Sequence, residues 1–259
     1  MRIINVYTGY LEEFIGDQIP DYAILSHTWG AEEVTLEDWK DLDTCRERRG
    51  FKKIMKACEQ ARHDGLDYLW CDTNCIDKAS SADLSEAINS MFAWYRDARV
   101  CYAYLEDVTD VTDMPSSRWF TRGWTLQELL APRRVEFFNA YWTTLGDIST
   151  VGQATHDLAP IISSITCIGE EYLYGRVLSN ASVAQRMSWV SRRTTTRVED
   201  MSYCMLGIFD INMPLLYGEG SKAFERLQQE IIKVSNDHTI FCWKWIPGIV
   251  PQNWGSVCI

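Results

Sequence analysis

LDYLWCDTNCIDKASSADLSEAINSMFAWYRDARVCYAYLED, residues 66–107, is where the chain shows its fold. LDYLWCD (66–72) is a short apolar run ending in a carboxylate, the pattern of a buried strand. SADLSEAINSMFAWYRDA (81–98) sets Leu84, Ile88, Met91 and Tyr95 on one stripe at helical spacing. VCYAYLED (100–107) is a second strand-like run. Working outward, YAILSHTWG (22–30) is a strand closing in turn chemistry, and GFKKIMKACEQARHDG (50–65) reads as a helix with Gly65 as its C-cap. Downstream, TRGWTLQELLA (121–131) is read as a helix and RVEFFN (134–139) as a strand. This alternation predicts an α/β fold, a flavodoxin-like parallel sheet flanked by helices, with ligands bound beyond the carboxyl ends of the strands. RIINVYT (2–8) adds one more strand-like run at the start.

From about residue 147 the pattern turns mainly helical, over 147–166, 182–209 and 218–235, and the strand-like HTIFCWKW (238–245) follows. A single domain over 1–259 is expected, an α/β core over 1–145 with a helical layer over 146–259 packed on it, placed to cover a pocket with Arg192, Arg193 and Glu199 in reach. No internal repeat interrupts it, and the ending GSVCI is consistent with a piece of a longer protein.

Bulk composition narrows the function. The 259 residues carry a formal net charge of −11, which argues against nucleic acid as a partner, although Arg192, Arg193 and Arg197 form one local basic cluster. Nine cysteines is an odd count, several lie in apolar runs, and MRIINVYTGYLEEF lacks a basic start with a long apolar stretch. Cys71 and Cys75 have no second pair at zinc spacing, so no metal is expected. No stretch reaches the ~18 apolar residues of a membrane span. A reduced, cytoplasmic protein without a membrane partner is the expectation.

The strand tips hold the polar candidates. After the first come Ser26, His27, Thr28, Trp29 and Gly30: hydroxyls and amides suited to a ribose or phosphate and an indole suited to stacking, or else turn and sheet-edge groups. After the second come Asp72, Asn74 and Asp77, which suit ligand hydroxyls or an Asx-turn. Glu86 is assigned to a capping box with Asp83 as N-cap. Ser26, His27 and Asp72 do not read as a hydrolase triad, because adjacent strand residues face opposite ways and no G-x-S-x-G elbow is present. His63, His156 and His238 read as structural or surface groups. In WTLQE, Trp124 and Glu128 are four apart and share a helix face, with Arg122 close by. An indole beside a carboxylate makes a poorly solvated wall that raises its pKa. The alternative is an amphipathic helix with Glu128 in solvent or bridged to Arg122.

YAILSHTWG, GLDYLWCDTNCIDK, SEAINSMFAWYRDARVCYAYLEDV, SRWFTRGWTLQELLAPRRVEFFN and the segment from AQRMSWVSRRTTTRVEDMSYCMLGIF to KAFERLQQEI, taken in order, resemble the fungal heterokaryon-incompatibility (HET) domain over nearly the whole chain. The resemblance implies a cytosolic cell-death effector at the N-terminus of an NLR-like receptor with nucleotide-binding oligomerisation and repeat domains. HET domains are in turn distantly similar to TIR domains, whose enzymatic members cleave NAD with a glutamate in a W-C-x-x-E helix. Here WTLQE matches at Trp124 and Glu128, with Thr125 in place of the cysteine. The implied activity is an NAD glycohydrolase dependent on self-association into a homo-oligomer. NAD is then the substrate and no separate cofactor is needed. Glu128 is the implied catalytic group; Ser26, His27, Trp29, Gly30, Asp72, Asn74, Asp77, Arg122 and Trp124 are the implied substrate-binding groups. The rival expectations are a non-enzymatic self-association module and a nucleotide-binding domain without turnover.

Overall fold

The computed structural model describes residues 1–152 and 154–242. Seven strands form one mixed sheet: β1 (Arg2–Asn5), β2 (Leu11–Glu13), β3 (Ala23–His27), β4 (Tyr68–Cys71), β5 (Val100–Tyr104), β6 (Arg134–Phe138) and β7 (Thr144–Ser149). Their order is β2-β1-β4-β3-β5-β6-β7. The four strands expected from the alternation, β4-β3-β5-β6, run parallel, with Leu25 beside both Cys71 and Tyr102. Numbered among themselves they stand in the order 2-1-3-4, the flavodoxin-like arrangement. Its topological switch lies between β3 and β5, and such sheets bind ligands outside the carboxyl ends at that point.

Two edges depart from the expectation of a parallel sheet. β1 and β2 form a hairpin antiparallel to β4, and β7 runs antiparallel to β6. Apolar runs carry no direction, so neither edge was legible as antiparallel. The helix expected from residue 147 therefore begins only at Ala159 and ends at Thr166. At the far end, His238–Phe241 is a 3₁₀ turn rather than a strand, and residues 243–245 of that expected strand lie outside the described residues.

Helix Arg49–His63 packs on β3 and β4 through Ile54, Ala57, Cys58 and Ala61. Helix Ser81–Asp97 buries Ala87, Ile88, Met91 and Tyr95, a stripe one to four residues apart that fits a 3.6-residue turn. Its N-cap is Ser80, whose hydroxyl accepts from the Asp83 amide; the expected box on Asp83 and Glu86 sits three residues too late. Asp83 instead accepts from Arg2 and the Asp77 amide, tying the helix start to β1. β3 is buried at all five positions, as expected of a strand covered on both faces. The C-terminal part supplies short helices, among them Val183–Ser188, Asp200–Tyr203 and Leu206–Phe209, and a longer one, Lys222–Val234. Leu206–Phe209 crosses helix Ser81–Asp97 so closely that a Cβ on Gly207 would overlap the Phe92 side chain. Eight cysteines among the described residues are all free, and no described helix is long and apolar enough to cross a membrane.

Candidate functional site

The WTLQE motif forms a short helix, Thr125–Leu130, with Trp124 as its N-cap. Glu128 lies one turn on, 92% buried. The Ser26 hydroxyl donates to Glu128 Oε2, and Trp119 Nε1 donates to Ser26 Oγ at 2.8 Å. Ser26 is completely buried, so it holds Glu128 from behind and cannot touch a ligand phosphate, contrary to the expectation. Burial pushes the Glu128 pKa up to about 8; the Ser26 hydrogen bond opposes this, Asp72 adds to it and Arg122 opposes it. A carboxyl group that titrates near neutrality inside a cleft is a feature of functional sites.

That cleft has a volume of about 510 Å³, within the range of roughly 300–1,000 Å³ usual for small-molecule sites. His27, Trp29, Asp72, Arg122, Trp124 and Glu128 all line it, so six of the ten expected residues converge at the ends of β3 and β4. Trp29 Nε1 donates to Asp72 Oδ2 at 2.9 Å, and the Lys78 ammonium lies 3.4 Å over the Trp29 ring. Lys78 is drawn down by burial, with Asp72 3.7 Å away resisting. Four expected residues stand elsewhere. Besides Ser26, Gly30 lines a second cleft of about 790 Å³ with Lys53, Tyr104 and Trp142, a cleft that Glu128 does not line. Asn74 is fully buried in the turn after β4. Asp77 closes an Asx-turn, its Oδ1 accepting from the amides of Ala79 and Ser80.

His27 is buried where its ring nitrogens find no hydrogen-bond partner; Nε2 stands 3.6 Å from Glu33 and 4.0 Å from Asp72. Burial lowers its pKa and the Lys53 charge lowers it further, so the ring is neutral. Burial works against the charge on Glu33, but Lys53 Nζ at 2.6 Å offsets this, and Glu33 stays ionised. His27, Cys71 and Asp72 bring one ligand atom each within 4.8 Å of one another. Cys71 Sγ already bonds Thr73, however, and burial raises its pKa to about 12, so it is a poor thiolate donor for a metal.

Sequence reasoning expected the C-terminal part over the pocket but missed the residues that form its wall. Thr194, Thr195, Thr196, Arg197, Asp200 and Tyr217 line the same cleft. Asp200, whose pKa is raised by burial, accepts from the Tyr217 hydroxyl at 2.9 Å. Arg197 stacks on the Tyr217 ring at 4.4 Å. The segment also pins the motif. Thr194 exchanges backbone hydrogen bonds with Thr121 and Gly123, and Arg193 Nη1 donates at 2.8 Å to both the Arg122 carbonyl and Thr125 Oγ1. Burial lowers the Arg193 pKa to about 10. Of the expected neighbours, Arg193 supports the site from beneath. Glu199 binds the Gly218 and Gly220 amides, and Arg192 is exposed beside Cys167. Only the clustering of Arg and Thr in RRTTTR hinted at this wall.

The chain is thus a doubly covered α/β sheet with a buried carboxylate at its switch-point end. The chain belongs to the heterokaryon incompatibility family: it is 49% identical over 230 residues, 83% of its length, to the vegetative incompatibility protein HET-E-1 of Podospora anserina. The family model for heterokaryon incompatibility protein (HET) matches residues 22–115. The chain spans 16% of that longer relative. No solved structure matches.

Proposed function

We propose that this domain is a cell-death effector of fungal vegetative incompatibility, acting when clustered as a TIR-like NAD glycohydrolase. The observation that carries the reading is the convergence of Glu128, Trp124, Trp29 and Asp72 on one cleft at the carboxyl ends of the parallel strands. A surface glutamate, or an effector working only through exposed apolar patches, gives no reason for that convergence.

The reaction adds water across the N-glycosidic bond: nicotinamide leaves with the bonding electron pair, and water supplies the hydroxyl of ADP-ribose and a released proton. The pyridinium leaves as a neutral base and needs no general acid. What the site must supply is a carboxylate beside an oxocarbenium-like ribose and exclusion of water. Glu128 takes that role in its ionised form, engaging the ribose hydroxyls and the developing charge. Trp124 and Trp29 stack on the ring systems, and Asp72 meets hydroxyls. Activity depends on assembly, since a constitutive NAD-cleaving enzyme kills its host, and the further length of HET-E-1-like proteins would house the parts that cluster the domain in the cytoplasm.

The test is nicotinamide release by purified, forcibly oligomerised protein and by its Glu128→Gln and Glu128→Ala variants. The expected result is release by the parent and loss of at least a hundredfold in both variants. Undiminished release by Glu128→Gln would end the catalytic assignment.

A further inference from the structure

The cleft holds two arginines that form no close ion pair, although Arg122 lies within electrostatic reach of Glu128 and Arg197 within reach of Glu199 and Asp200. In a chain with 36 acidic and 25 basic residues, most arginines and lysines find a carboxylate, as Lys53 does at 2.6 Å and Arg134 at 2.7 Å. Among the described residues, the guanidinium groups of Arg122 and Arg197 make no hydrogen bond and no ion pair within 4 Å. Arg197 stacks on the Tyr217 ring, a contact that orients the planar fork and leaves its N–H groups without a hydrogen-bond acceptor. Thr196, next to Arg197 in the chain and in the same lining, spends neither its hydroxyl nor its amide on an internal partner. Two planar forks with a free hydroxyl and a free amide are donors without acceptors, and the acceptor set they fit is a pair of phosphate groups.

We infer that Arg122, Thr196 and Arg197 form a diphosphate subsite, so that the ligand of this cleft is a pyrophosphate-linked dinucleotide rather than a nucleoside or a mononucleotide. The inference rests on the NAD reading of the cleft and adds the residues that hold the bridging diphosphate. It places the anion-binding work in the C-terminal part of the chain, where Arg197 and Thr196 lie, and gives Ser26 none of it. The separation of roles follows from burial: Arg197 and Thr196 are exposed, whereas Glu128 is buried in the cleft wall, held from behind by Ser26 and Trp119.

The experiment is calorimetric titration of the full chain with ADP-ribose, AMP and adenosine, none of which contains the scissile bond to nicotinamide. The parent should bind ADP-ribose at least tenfold more tightly than AMP and more tightly still than adenosine. Arg197→Gln and Arg122→Gln should each weaken ADP-ribose binding by about 10- to 100-fold, the worth of one charge-assisted bidentate contact, and leave adenosine binding unchanged. Arg197→Lys should recover part of the loss. Arg197 is exposed, so its variants should melt with the parent, and a melting curve checks this. Equal affinity of the parent for ADP-ribose and adenosine, absence of ADP-ribose binding, or arginine variants that bind like the parent would each overturn the inference. The catalytic reading fails separately: Glu128→Gln that still releases nicotinamide removes the role of Glu128 and leaves the arginine effect on ADP-ribose intact.

Discussion

Replacing Ser26 by alanine tests whether Glu128 works as a carboxylate. In the parent protein burial sets the Glu128 pKa at about 8, and the Ser26 hydroxyl holds it below what burial alone would give. A hydrogen bond to a charged group contributes roughly 1.5–3 kcal/mol, and one pKa unit corresponds to about 1.4 kcal/mol. Ser26→Ala should therefore raise the Glu128 pKa by about 1 to 2 units, while removing one oxygen from a fully buried position and leaving the backbone of β3 intact. The assay is kcat/KM for nicotinamide release against pH, because that quantity reports the free enzyme's ionisations. For the parent it should climb about tenfold per pH unit below neutrality and level off above the pKa. For Ser26→Ala the rise should move up by the same 1 to 2 units, so that activity at pH 7 falls roughly 10- to 100-fold and the gap closes at high pH. A flat parent profile, or one that falls with pH, would refute the requirement for an ionised Glu128. A variant slower by one constant factor at every pH would make Ser26 a packing residue only.

Three further outcomes follow from the same contacts. Because the Glu128 pKa is raised from 4.5 to about 8 in the folded state, the folded chain keeps a proton that the unfolded chain loses between those values, and stability falls as pH rises across that window. Denaturant titration should find Glu128→Gln more stable than the parent by about 3 kcal/mol at pH 7, with the difference vanishing near pH 4. Arg193→Ala strips the donor from the Arg122 carbonyl and Thr125 Oγ1 and should cost about 2–4 kcal/mol, with kcat falling more than KM rises; Arg193→Lys should recover stability only in part. Gly207→Ala forces a methyl into Phe92 and should cost about 1–3 kcal/mol by urea unfolding, without moving the midpoint of the pH profile.

What could be read from the sequence was whatever repeats locally. The Trp124–Glu128 pair was legible because four residues on a helix fix a shared face, and Asp72 because a parallel strand must end with its carboxyl end at the ligand side. Ser26 was read as a ligand group because the sequence shows that it ends a strand. It does not show that Trp119, 93 residues away, closes over it. The Asp77 ambiguity resolved toward its turn, since a short Asx bond competes well with a distant ligand. β1 and β7 were harder, because strand direction depends on which edge a run joins and alternation carries no sign of that. Least legible was the wall at 194–197, which meets the motif only through the Thr194 pairing with Thr121 and Gly123, across more than 70 residues of chain.

The ionisation states in the cleft point one way. Burial lowers the His27 pKa and raises those of Glu128 and Asp200, and Arg122 and Arg197 make no ion pair within 4 Å. The site thus offers donors in one region and, where the chemistry would occur, a carboxyl shifted toward its protonated form. A dinucleotide with an anionic bridge and a cationic ring fits both regions, and the ring's charge does more than fit. An opposite charge within ~4–6 Å lowers a carboxyl pKa by about 1–3 units, enough to carry Glu128 from mostly protonated to mostly ionised at neutral pH. On this reading the substrate itself switches on the group that stabilises the cleavage of its own bond, and ligand charge alone cannot be the safety catch in a cell full of NAD. Control has to act on geometry instead. The joint able to carry it is the one where Arg193 and Thr194 hold the start of the Glu128 helix, because a shift of the C-terminal layer there moves the carboxylate and the diphosphate donors together.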